Sequence, residues 1–137
     1  MDPLEQLRAR IAGFPGYDGD LERRRSDEFV RSYLGEALAD LDVRCDSLSP
    51  DTKQRIDALL LRVGFADQQS FSVHHGTAAT HVLAGAGSSV AGEDVAVIEV
   101  ADRARTVDAD AVGRYLDEVA ETLDRRDVAM RAAASNA

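Results

Sequence analysis

The chain has 137 residues, of which 45% are hydrophobic and 30% charged, a composition that excludes a disordered tract and leaves room for one domain. Twenty-five acidic and 16 basic side chains give a formal net charge of -9, which repels a phosphate backbone and argues against a nucleic-acid partner. One cysteine makes no internal disulfide, no run has the length and apolarity of a membrane span, and the opening residues do not read as a signal peptide, so a cytoplasmic domain without a membrane partner is expected.

Asp2-Pro3-Leu4-Glu5 is a helix start: Asp2 caps, Pro3 needs no N–H in the first turn, and Glu5 stands in capping-box position. Leu4, Leu7 and Ile11 continue at helical spacing, and Gly13 and Pro15 end the run, which predicts a helix over residues 3–12. The Gly13–Asp20 stretch is a turn by composition. Its Asp18-Gly19-Asp20 run fails as a calcium loop, because Arg23 stands at the sixth position where glycine is needed and Phe29 at the twelfth where glutamate is needed.

Residues 21–41 carry a stripe of Val30, Tyr33, Leu34, Ala37, Leu38 and Leu41, which predicts a long amphipathic helix. Arg24 with Glu28, and Asp27 with Arg31, are four apart and read as pairs on its polar side; Arg23-Arg24-Arg25 reads as a solvated face. Ser49 and Pro50 start the next helix, whose core positions are Ile56, Leu59, Leu60 and Val63 and whose end is marked by Gly64, with Phe65 as its hydrophobic contact. Cys45, between Arg44 and Asp46, reads as a partly buried free thiol.

The middle of the chain differs in kind. From Gln68 to Gly92 there is no Asp, Glu, Lys or Arg, and all three histidines, His74, His75 and His81, fall inside this window. The β-branched run Val95–Val100 reads as a strand that pairs with Thr80–Leu83 in a hairpin within residues 78–101. A helix is the alternative, with Val90, Val97, Ile98 and Ala101 on one face and Asp94 interrupting them. The Gly85–Gly92 stretch has the glycine spacing of a phosphate loop, but Glu93 and Asp94 stand where lysine and a hydroxyl are required, so it reads as a small-residue loop.

Thr106 or Asp108 caps a last helix with Val112, Tyr115, Leu116, Val119, Ala120 and Leu123 as its stripe. Arg114 with Glu118, and Glu121 with Arg125, are spaced as surface pairs; Glu118 and Glu121 have the one-turn spacing of an acid/base pair, but exposed acidic positions explain them more simply. The stripe weakens at Asp124-Arg125-Arg126-Asp127, and residues 132–137 are expected to fray.

The expected architecture is a single, mainly α domain, a small bundle of three to four amphipathic helices with a short β-hairpin laid over it. Residues 1–65 supply the N-terminal helices, 66–105 the uncharged His/Gly segment and apolar run, and 106–137 the C-terminal helix with its frayed end; each part nets -3, so no basic face hides behind the average. No complete catalytic or cofactor motif emerges. The expectation is a non-enzymatic protein that binds another protein or itself through the uncharged segment, as interface centres are poor in charge. The alternative is a small ligand- or metal-dependent protein using His74, His75 or His81, although neither strand nor helix spacing brings two of them to one metal unaided. No metal or cofactor is expected.

Overall fold

Asp2 caps the first helix, α1 (Pro3–Arg10), by accepting the Glu5 N–H, while the Glu5 side chain reaches back to the Asp2 N–H. The computed structural model describes residues 2–64 and 87–135, and the side chains of 2–64 and 90–133. Within these, α2 (Asp20–Arg44) and α3 (Pro50–Arg62) follow α1; α4 (Gly87–Arg103) and, after a 3-10 turn at Ala109–Ala111, α5 (Val112–Ser135) complete the bundle. Among the described residues there is no strand.

The helix ends show local chemistry at work. Ser49 accepts the Thr52 N–H and Pro50 occupies the first turn of α3. At its other end Gly64 takes φ +74°, the left-handed conformation that a side chain resists. The α1–α2 loop turns through Gly13 and Gly16, at φ +75° and +97°. It is held by Ser26, whose hydroxyl donates to the Gly16 carbonyl at 2.7 Å and accepts the Gly16 N–H at 3.0 Å, all buried. Ser26→Ala would leave a buried donor and acceptor without this partner and is expected to cost about 1–3 kcal/mol, measured as a shift in urea midpoint at constant slope.

The predicted hairpin is absent where it can be checked: Val95–Val100 lies inside α4, and its proposed partner strand, Thr80–Leu83, lies outside the described residues. The reason is position. α4 is packed by α1, α2 and α5 together, with Val90, Ala91, Val97, Ile98, Val100, Ala101 and Ala104 all buried. A helix covered on several sides is apolar nearly all round, and over six residues such a run has the same pattern as a buried strand. Tertiary packing overrides the β-branched preference.

Several helix ends also differ from expectation, and α1 stops at Arg10, two residues short of the predicted 3–12. α2 runs further at both ends than its apolar stripe, and α5 continues to Ser135 instead of fraying after Ala132. The extension of α5 has something to bury: Met130 and Ala133 pack with Val90. The main core, from Leu7 and Phe14 through Leu34, Leu38, Ile56 and Val97 to Leu116 and Leu123, joins all five helices. The Tyr115 hydroxyl donates to the Val100 carbonyl at 2.5 Å and ties α5 to α4.

Candidate functional site

Most ionic pairs of the bundle lie on its surface. Arg62 on α3 donates to Asp124 and Asp127 on α5, Arg55 to Asp117, Arg10 to Asp102, and Arg103 to Glu118. Exposed pairs of this kind contribute about 0–1 kcal/mol each. Glu118 thus finds Arg103 across the helix pair, where the sequence spacing suggested Arg114, and both Glu118 and Glu121 are exposed.

One ionic group is different. Four charged side chains meet in the interior: Asp27 at 3% exposure, Arg31 at 7%, Asp94 at 0% and Arg126 at 5%. Arg126, from α5, donates through Nε to Asp94 of α4 at 2.5 Å and through Nη2 to Asp27 of α2 at 2.7 Å. Arg31 donates through Nε to the other oxygen of Asp27 at 2.9 Å and through Nη1 to the Val63 carbonyl at 3.2 Å, at the end of α3. The Tyr17 hydroxyl, from the α1–α2 loop, donates to the second oxygen of Asp94. Both carboxylates therefore have both oxygens engaged, and two cations balance two anions.

The local geometry follows from the sequence. Asp27 and Arg31 are four apart and share a face of α2, and that face is the buried one, with Val30, Leu34 and Leu38. Asp94 sits one turn after Val90 and one before Val97 and Ile98, inside the buried stripe of α4. Arg126 stands between Leu123 and Met130 in the stripe of α5. Its planar fork reaches two carboxylates on two helices at once with donors in a fixed geometry that an ammonium group lacks.

The electrostatics separate the two acids. Burial pushes the Asp27 carboxyl up, but Arg126 and then Arg31 outweigh it and hold the group below its ordinary 3.8. Asp94 moves the other way: its complete burial dominates, Arg126 and the Tyr17 hydrogen bond pull back, and the net direction is up. Burial would lower Arg126, but Asp94 and Asp27 more than offset that, and it stays charged. Tyr17 is pushed up by burial and by the adjacent Asp94, so its hydroxyl keeps its proton and donates.

This arrangement positions helices. Its acidic and basic groups are spent on one another inside the protein, joining α2, α4 and α5 with the end of α3 and the α1–α2 loop. An open groove between α2 and α4, about 300 Å³ and lined by Tyr33, Glu36, Asp40, Arg44, Asp102 and Arg105, is a polar cleft among the described residues. Some of its polar groups are engaged: Tyr33 donates to Asp102 at 2.5 Å, and Arg44 donates to the Ala104 and Val107 carbonyls.

His74, His75 and His81 lie outside the described residues. Among the described residues no group of three or more His, Cys, Asp or Glu is placed to hold a metal ion. Cys45 is buried and free. Among the described residues no helix is long and apolar enough to cross a membrane.

Among the described residues, fold and site define a five-helix bundle organised around a buried, charge-balanced ion network. Comparison with protein-family models, with curated proteins and with solved structures gave no significant match.

Proposed function

We propose that the protein is a non-enzymatic interaction module, binding another protein or a second copy of itself through the uncharged segment 68–92, of which Val90 and Ala91 are already taken up by the bundle interior. One observation supports this most directly. The buried network grips the chain on both sides of that segment: Arg31 holds the Val63 carbonyl, five residues before Gln68, and Arg126 holds Asp94, two residues after Gly92. A contact segment anchored at both ends to a rigid base loses less conformational freedom on binding, which raises affinity. Its lack of charge suits the centre of an interface, where charged side chains are depleted.

The test introduces charge into the segment and follows the bundle separately by its melting temperature. Ser72→Glu combined with Thr77→Glu should leave the melting temperature unchanged. It should abolish self-association seen by light scattering, or retention of a specific partner from the native lysate. A wild-type chain that is monomeric and retains no partner, or a doubly charged variant that associates as well as wild type, would defeat the proposal. The histidine-dependent reading is separated by the same preparations: bound metal on elemental analysis, lost together with activity in a triple His74→Ala, His75→Ala, His81→Ala variant, would favour it instead.

A further inference from the structure

Five large apolar side chains are exposed among the described residues, and three of them, Leu21, Phe29 and Val43, stand on α2. At about 3.6 residues per turn they fall within about 80° of one another, on the side turned away from the buried Val30, Leu34 and Leu38. Arg25, Glu36 and Asp40 are exposed on the same face, and none of the three has an ion-pair partner among the described residues. At one end the face is concave: Phe29 joins Ile11 and Pro15 around an open hollow of about 650 Å³. Apolar side chains aligned on one exposed face, beside unpaired charges, have the composition of a contact surface.

The order of the charges says what covers it. The cation, Arg25, stands in the N-terminal half of α2, and the anions, Glu36 and Asp40, in the C-terminal half. A second copy of α2 laid antiparallel on the first therefore meets opposite charge at both ends, whereas a parallel copy sets like charges against each other. Placing Arg25 opposite Asp40 of the second copy puts a two-fold axis between Ser32 and Tyr33. The same register sets Phe29 against Glu36, Leu21 against Arg44 and Val43 against Glu22, so each exposed apolar side chain lies on the stem of a longer charged one. The Arg44 guanidinium is already held by the Ala104 and Val107 carbonyls, which leaves its stem for this contact. The two-fold axis repeats every contact and spaces the two Arg25–Asp40 pairs about 22 Å apart.

We propose that the protein forms an antiparallel two-fold homodimer through the outer face of α2. This contact makes no use of residues 68–92, which it leaves to bind another protein. Sedimentation of the full chain over a range of concentrations tests it. A single helix pair is smaller than the about 1,600 Å² of a standard interface, so a reversible, micromolar dimer is expected. Arg25→Glu and Asp40→Arg, both at exposed positions, should each weaken the dimer at least about tenfold and leave the melting temperature unchanged. Mixing the two variants in equal amounts should restore a dimer of wild-type strength, because only the mixed pair has opposite charges at both ends. A variant that had failed to fold would not be rescued by mixing. A wild-type chain that stays monomeric up to about 1 mM would overturn the proposal, whatever else then covers the face. So would a dimer indifferent to both variants, or one that each variant weakens and the mixture does not restore. Ser72→Glu with Thr77→Glu should leave this dimer intact. Its loss there, with the α2 variants unaffected, would overturn the α2 contact and assign self-association to the uncharged segment.

Discussion

Arg126→Met is expected to destabilise the protein by about 3–5 kcal/mol, the cost of breaking a buried pair from one side. The guanidinium holds Asp94 and Asp27 at 2.5 and 2.7 Å. Without it, two buried carboxylates share one remaining cation, Arg31, and a charge-balanced interior acquires a net negative charge. Against a total stability of about 5–15 kcal/mol for a domain, the loss is large enough to populate the unfolded state at room temperature or slightly above. Urea titration measures it as a drop in midpoint with unchanged slope. Arg126→Lys should recover only part, because an ammonium on a flexible stem lacks the fixed planar fork with which Arg126 meets both carboxylates.

The decisive comparison is Arg126→Met combined with Asp94→Asn. The second change removes one of the stranded charges while Asn keeps an oxygen for the Tyr17 hydroxyl. What is left is the Asp27–Arg31 pair, again neutral. The double variant should be more stable than Arg126→Met alone, a coupling that a double-mutant cycle isolates. If the two losses simply add, the network is not the cooperative unit its geometry indicates.

Much of the fold can be read directly from residue patterns. α3 is legible in its main features: Ser49 and Pro50 start it, Ile56 and Leu59 face the core with Leu60 partly buried beside them, and Gly64 ends it at positive φ, while the expected Phe65 contact lies outside the described residues. α1 is legible in its capping box. The failures share one cause. Sequence reasoning assigns charged residues to the solvent side, so Asp94 reads as a break in a helical stripe, Arg126 as the place where a stripe ends, and Asp27–Arg31 as a surface pair. All four are buried at core positions. Each makes sense only with the others present, and the partners lie 32 and 99 residues apart in the chain. Had Asp94 been accepted as a stripe member, Val90, Asp94, Val97, Ile98 and Ala101 would have formed one unbroken helical face. The usable signal was the charge sum: two acidic and two basic residues at core positions of three helices, totalling zero.

The opposite displacements of the two acids give the second large effect, and it depends on pH. Asp27 is held below its ordinary 3.8. Its contribution is therefore fully present above about pH 3.8 and is lost as pH falls through its lower, folded value. Asp94 is raised, so its contribution is present below about pH 3.8 and is lost as pH rises through its higher, folded value. Asp27→Asn puts an amide between two guanidinium groups, replacing one acceptor by a donor, and is expected to cost about 3–5 kcal/mol near neutral pH. That deficit should shrink on acidification below about pH 3.8, because the unfolded wild-type chain takes up a proton that folded Asp27 resists, and the wild type loses the stability that Asp27 supplied. Asp94→Asn should show the reverse trend, its deficit being largest in acid and smaller toward neutrality, where the wild type bears the burden of a fully buried carboxylate. The two acids share Arg126, so removing one shifts the titration of the other, and the profiles belong to the pair. Urea midpoints of wild type and both variants between about pH 2.5 and pH 7 measure these trends. Deficits that stay constant across the range would mean that the network does not couple folding to protons, and that its charges could be exchanged for apolar side chains without changing how the bundle responds to acid.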